Sequence, residues 1–224
     1  MDLAKGAQTM QKSCGKGNSN QGRLVGYVDY ADDDRLAHFA RNGRIVFFDT
    51  ETTGLGDDDE IVQLSAVEYV GGRKARSYNA YIRPTLDEGR CIAEDIHGCT
   101  WGMLKRRGQT PTKAVEGFFD LIGEGDALVV AHNFRFDMRM LRRECELCDR
   151  EWDVRALNLA GCDTLALARR LHPEFHWRRG GDGYALETLV EAFGLRAKNS
   201  HRAMDDAKAC AKLFFHLVGE LEGK

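Results

Sequence analysis

Arg44-Ile45-Val46-Phe47-Phe48-Asp49, continued by Thr50-Glu51, decides how the rest of the chain is read. Its apolar residues run without alternation, the pattern of a strand buried on both faces inside a helix-covered sheet. Two acids close the run. Asp49 and Glu51 stand two residues apart, so on a strand their side chains leave the same face. Like charges that close repel, and burial makes ionisation costly. A cation between them would relieve both problems. A strand that has already run out into solvent would need none, and an isolated Asp-x-Glu leaves both readings open.

The neighbouring segments supply the rest of a sheet. Ile61 to Val70 and Ala75 to Ile82 read as strands, with Gly71-Gly72 as the hairpin turn between them. Upstream, Asp32 to Arg41 reads as a helix closed by Asn42-Gly43. Downstream of residue 90 the periodicity becomes helical. Thr110-Pro111 is a cap followed by proline at the first helical position, and Ala114, Phe118 and Leu121 follow at helix spacing. Ala127 to Ala131 is a short buried strand, followed by a helix from about Asn133 to Cys148. A strand near 158–163 and helices at 164–171, 184–193 and 201–221 complete the order. Strands first paired as a hairpin and then alternating with helices give an α/β domain with a mixed sheet. Residues 1–22, rich in Gly, Ser, Asn and Gln, read as a flexible tail. Residues 23–43 read as an extension of unassigned role, and 44–221 as the main domain.

Composition narrows the function. The chain has 224 residues, 43% of them hydrophobic, and a net charge of -3 from 32 basic and 35 acidic side chains. A stoichiometric nucleic-acid binder of the histone or repressor type is usually basic, so that class is disfavoured. An enzyme that touches a polyanion locally is not. No uncharged apolar run approaches the roughly 18 residues of a membrane span, and Met1 to Gly6 has no apolar core of a secretory signal. Seven scattered cysteines, an odd number, do not form a disulfide framework and point to reduced thiols in the cytoplasm or nucleus.

Two further acids lie beside apolar helix stripes. Asp137 adjoins the stripe Phe134, Met138, Leu141, Cys145, Cys148 through Phe134 and Leu141. Asp206 adjoins Ala203, Ala207, Cys210, Phe214, Leu217 and Leu221 through Ala203 and Cys210. Its neighbour Asp205 lines up instead with Lys208 and Lys212, so helical phase prefers Asp206. Four such carboxylates in one α/β domain suggest a cation cage of the all-oxygen kind that suits Mg²⁺ or Mn²⁺.

These residues resemble a known family. Phe48-Asp49-Thr50-Glu51-Thr52-Thr53-Gly54-Leu55 is similar to the first motif of the DnaQ-like DEDD 3′–5′ exonucleases. Val130-Ala131-His132-Asn133-Phe134-Arg135-Phe136-Asp137 resembles their second motif, and His201-Arg202-Ala203-Met204-Asp205-Asp206-Ala207 their third. The histidine five residues before the last acid marks the histidine (DEDDh) branch. Ile96-His97-Gly98 and Cys162-Asp163-Thr164-Leu165 also resemble family segments, and the likeness runs from about Arg44 to Leu217. It implies a ribonuclease-H-like α/β fold, a five-stranded mixed sheet with the second strand antiparallel, flanked by helices. It implies that Asp49, Glu51, Asp137 and Asp206 hold two Mg²⁺ or Mn²⁺ ions and that His201 is the general base. Such ions sit about 3.5–4 Å apart and clamp an in-line phosphoryl displacement. Thr52 would meet the terminal 3′-hydroxyl through its backbone, and Leu55 would wedge against the terminal base. His97, Asn133 and Phe136 would line the nucleotide pocket. Two ions would also move the formal charge from -3 toward about +1.

The expected activity is 3′–5′ exonucleolytic release of nucleoside 5′-monophosphates, on single-stranded or frayed DNA in preference to RNA. With no polymerase domain in these residues, proofreading implies a polymerase partner chain. The motifs leave open RNA trimming or oligoribonuclease activity, nucleotide phosphohydrolysis, and a non-catalytic nucleic-acid scaffold. Other signals have plainer explanations. Cys145-x-x-Cys148 with His172 and His176 could suggest zinc, but the helix stripe accounts for both cysteines as core. The run Asp57-Asp58-Asp59-Glu60 reads as a solvated loop. Arg178-Arg179, leading into Gly180-Gly181-Asp182-Gly183, reads as a substrate-gripping loop.

Overall fold

In a computed structural model the described residues are 24–25, 29–148, 152–153, 159–177, 183–197 and 201–223. The tail of residues 1–22 and the Arg178-Arg179 pair lie outside them. Strand β1 (Arg44–Thr52) holds the centre of the sheet. Ile45 to Phe48 are fully buried, as an unalternating run requires. Ile45 and Phe47 enter one core and Val46 and Phe48 the other. β2 (Ile61–Val70) pairs antiparallel with β1 and with β3 (Arg73–Tyr81). Gly71 and Gly72 turn the hairpin at φ 55° and 72°, a two-residue turn with positive φ at both centres, which favours glycine. β4 (Ala127–Ala131) runs parallel to β1, and β5 (Leu159–Asp163) parallel to β4. The order β3-β2-β1-β4-β5, with only β2 antiparallel, is the five-stranded mixed sheet expected. A further two-residue segment, Asp29–Tyr30, pairs with the outer edge of β5 and covers it.

Helices cover both faces. Helix α1 (Asp33–Asn42) starts at Asp32, whose carboxylate accepts from the Arg35 N–H at 2.9 Å. It packs on the first core with α6 (Thr164–Leu171), α7 (Leu186–Ala192) and α8 (Ala203–Glu222). Residues 33–42, read from sequence as an extension, thus bury Leu36, Ala37 and Phe39 in that core. The opposite face carries α4 (Pro111–Ile122) and α5 (Phe134–Leu147), while α2 (Glu94–His97) and α3 (Trp101–Arg107) lie in the connection from β3 to α4. Thr110 caps α4 with Pro111 at its first position, as the sequence implies. Phe214 of α8 meets Phe47 edge-on at 5.3 Å. Each such fully buried ring contributes about 1.5–3 kcal/mol of transfer free energy, so this contact ties α8 firmly to β1.

Two expectations need correction. The buried face of α5 is Phe134, Asp137, Met140, Leu141, Glu144 and Cys145. It is rotated from the expected stripe, leaving Met138 and Cys148 only half-buried. The helix turns this way because strands β1 and β2 offer N–H donors to Asp137 and Glu144. The run 57–60 is also not uniformly solvated. Glu60 is 1% exposed, its carboxylate taking the Thr85 N–H and hydroxyl, both at 2.6 Å. Asp59 closes the turn by accepting from Gly56 N–H and Thr53 Oγ1.

Candidate active site

The acids gather where β1 ends. Asp49 and Glu51 share the face of β1 that carries Phe47, so they point toward α8. That helix presents Asp206 in its first turn, 7% exposed. One oxygen from each of Asp49, Glu51 and Asp206 lies within 4.8 Å of the others. Asp205 faces Lys208 at 3.7 Å, as helical phase requires. Asp137 arrives from the other layer, on the first turn of α5, and is 3% exposed. Its Oδ1 accepts from the Thr50 N–H at 3.1 Å and the Thr50 hydroxyl at 2.8 Å. Asp137 therefore adjoins the three clustered oxygens without being one of them.

The electrostatics are lopsided. Burial, and then the charges of Asp137, Asp206 and Glu51, hold the Asp49 carboxyl well above the usual carboxylate range. Burial, Asp206 and Asp137 push Glu51 up to about 8. Burial raises Asp137 to about 7 against the opposing pull of the Thr50 hydrogen bonds. The charges acting on Asp49 and Glu51 are thus those of fellow acids. An all-carboxylate donor set in which Asp49 and Glu51 are raised by neighbouring acids fits a hard divalent cation.

The remaining residues singled out from sequence differ widely in exposure and partners. His201 is exposed, at φ 47°, just before the cap of α8. Thr52, at the end of β1, donates its hydroxyl to the Gly54 carbonyl at 2.7 Å. Leu55 is 77% exposed. Its carbonyl accepts from Arg139 Nη2 at 2.9 Å while Nη1 pairs with Asp57 at 2.7 Å, clamping the Leu55 turn to α5. The same guanidinium lies over the half-buried Phe136 ring at 5.4 Å. Asn133 is exposed at φ 70°, its N–H bonded to Asp163 at 3.1 Å. His97 is buried with both nitrogens on main chain. Nδ1 accepts from Cys99 N–H at 3.0 Å, so Nε2 donates to the Ile92 carbonyl at 2.7 Å. Burial lowers its pKa and favours this neutral ring. His97 can shape a pocket but has no free nitrogen to offer a ligand.

The RNase T family model, described as exonuclease, matches residues 46–214, a span that contains all four acids and His201. The chain belongs to this exonuclease family. Among relatives within reach of sequence comparison, the DNA polymerase III epsilon subunit of Treponema pallidum is 33% identical over 80% of this chain and 80% of its own length. The PolC-type DNA polymerase III of Thermotoga maritima is 34% identical over 77% of this chain, but the chain spans only 12% of that protein. Escherichia coli exonuclease I in complex with a dT13 oligonucleotide superposes with a TM-score of 0.66 at 23% identity, covering 80% of this chain and 42% of that one. That likeness is one of fold, the DEDD exonuclease fold of the ribonuclease-H-like type.

Three residues of the family site's surroundings were not visible in the sequence. Thr50 stands between Asp49 and Glu51 and faces the other layer, where it holds Asp137. Arg139 ties Leu55 to α5. Glu144, fully buried, accepts the Ile61 N–H at 2.9 Å. Its one sequence signal is its place seven residues after Asp137, two helical turns along the same face.

Proposed function

We propose that this protein is a divalent-metal-dependent 3′–5′ exonuclease that releases nucleoside 5′-monophosphates from single-stranded or frayed DNA ends. The convergence of Asp49, Glu51 and Asp206 oxygens within 4.8 Å, in a site where burial and mutual repulsion oppose ionisation, carries the reading. With Asp137 they would hold two Mg²⁺ or Mn²⁺ ions, which when bound supply a Lewis acid for the phosphoryl oxygens and lower the pKa of water. His201, exposed just before the cap of α8, has the accessibility a general base needs, and histidine is the side chain most often used as one. Leu55 offers an exposed apolar side chain on a clamped turn, suited to wedging against the terminal base. The Thr52 backbone, at the end of β1, would meet the 3′-hydroxyl. Asn133 and Phe136 would line the pocket, with His97 shaping it from behind.

The preference for DNA rests on the relatives named DNA polymerase III and on the oligonucleotide complex of exonuclease I. The first of these also favours a polymerase partner chain. The test compares 3′- and 5′-end-labelled DNA and RNA of equal sequence, as single strands, duplexes and mismatched duplexes, with Mg²⁺ or Mn²⁺. Mononucleotides should leave the 3′ end first, and fastest from single-stranded or mismatched DNA. Release from the 5′ end, or hydrolysis of free nucleotides alone, overturns the proposal; faster cleavage of RNA reassigns the substrate to RNA trimming.

A further inference from the structure

We propose that Glu144 is a positioning residue of the active site: from α5 it pins the β-bulge that aims Glu51 and Thr52. The inference rests on the acid cluster being the reaction centre. Along the β1–β2 ladder Glu51 faces Gln63, but Thr52 faces Ile61, so Val62 is an extra residue on β2. A bulge breaks the ladder locally, bends the strand and re-aims its neighbours. Here it falls beside the two site residues at the end of β1.

Groups outside β1 hold both sides of the bulge. The Ile61 N–H donates to Glu144 Oε1 at 2.9 Å, and the Val62 carbonyl accepts from the Ile82 N–H at 2.9 Å. Asp137 and Glu144 therefore work as a pair from one helix face. Asp137 takes the N–H of Thr50, and Glu144 takes that of Ile61, the partner of Thr52. One rigid helix thus fixes the ladder on both sides of Glu51.

The chemistry of the position favours an acceptor there over an apolar side chain. Glu144 is fully buried and its Oε2 has no hydrogen-bond partner among the described residues. Burial is the main influence raising its carboxyl to about 8, with Glu60 adding to it and the Ile61 bond and Arg143 opposing it. The neutral acid still accepts an N–H through its carbonyl oxygen and adds no charge near an acidic site. An apolar residue would pack as well but would leave the Ile61 donor buried and unpaired.

Glu144→Gln keeps the acceptor, and Glu144→Met keeps the length without it. The Gln variant should match wild type within about 3-fold in kcat and in Mn²⁺ affinity. The Met variant should lose up to about 100-fold in kcat, the scale of a reacting group misplaced by about 1 Å, with a smaller change in KM for the oligonucleotide. Calorimetry should show weaker Mn²⁺ binding to Glu144→Met in the absence of substrate. That readout holds even if the wild-type protein releases no mononucleotides, which would count against the proposed function and not against Glu144. Unchanged Mn²⁺ affinity and kcat in Glu144→Met overturn the proposal. So do equal losses in both variants, and so does a Met variant that circular dichroism shows to be unfolded, since Glu144 would then hold the fold and not the site.

Discussion

Glu68 and Glu51 sit on neighbouring strands of one sheet, yet their surroundings are opposite. Glu68 is 2% exposed and faces Val46 across the ladder. Arg76 reaches it with Nε at 2.6 Å and Nη2 at 2.8 Å, and Arg44 approaches at 3.5 Å. Hydrogen bonding to Arg76 is the main influence holding its carboxyl below the usual value. Five rungs along β1 from Val46, Glu51 shares its space with Asp49 and Asp206, and its carboxyl is pushed up to about 8. Burial is common to both ends. The difference is the counter-charge: two arginines approach Glu68, whereas among the described residues the groups acting on Asp49 and Glu51 are acids. Charge without a described counter-ion, more than burial, separates the Glu51 end of the sheet from the Glu68 end.

Truncation at the two ends should have opposite consequences. Asp49→Ala should cut nuclease activity by about 100- to 1000-fold, as loss of an electrostatic stabiliser does, without lowering the thermal midpoint of the metal-free protein. Glu68→Ala should do the reverse, losing about 1–3 kcal/mol of stability through broken charged hydrogen bonds while activity stays near wild type. The figure belongs at the low end, because Arg76 is about half exposed and can turn to water. Activity that survives Asp49→Ala would remove the cluster from the mechanism.

The two ends also respond to pH with opposite sign. Glu51 has an ordinary value of 4.5 and a folded value of about 8, so the unfolded chain releases its proton first as pH rises. Metal-free protein should therefore lose stability from about pH 4.5 to about pH 8 on account of this group. Glu68 acts with the opposite sign: its lowered pKa contributes stability above the ordinary value of 4.5, lost in acid as pH falls through the folded value. Urea unfolding in EDTA across this range should show a decline toward high pH in wild type that is reduced in Glu51→Gln. An equal decline in both would assign the pH response to another group. The smallest effect belongs to Leu55, 77% exposed. Leu55→Ala should shift stability by no more than about 0.5 kcal/mol and slow hydrolysis of strand ends without changing Mn²⁺ affinity. A lowered metal affinity would place Leu55 in the cation site and not on its rim.

The sequence carried most of the fold because its main signals are local. The apolar run of β1, the Gly71-Gly72 turn and the Thr110-Pro111 cap each specify their element with no need of distant partners. Helical phase separated Asp206 from Asp205 for the same reason. What escaped depends on partners far along the chain. Glu144 counts as polar on any helical wheel, and the Ile61 N–H that donates to it comes from 83 residues earlier. Glu60 looked solvated until Thr85, 25 residues away, closed over it. The four acids were legible as a set, but not that Asp137 approaches from the opposite layer and is turned to Thr50.

Asp49, Glu51 and Asp206 bring their oxygens together as a cation site would, and among the described residues the charges acting on Asp49 and Glu51 are those of other acids. Thermal unfolding at pH 8, with and without saturating Mn²⁺, tests most directly the claim that they hold a cation, when wild type is compared with Asp49→Asn. Metal at about 100 times its dissociation constant adds about 2.7 kcal/mol, roughly 5–10 °C for a domain of this size. Wild type should rise by that amount. Asp49→Asn should start higher in EDTA and respond little. A wild-type midpoint indifferent to Mn²⁺, or an equal rise in the variant, would contradict the claim.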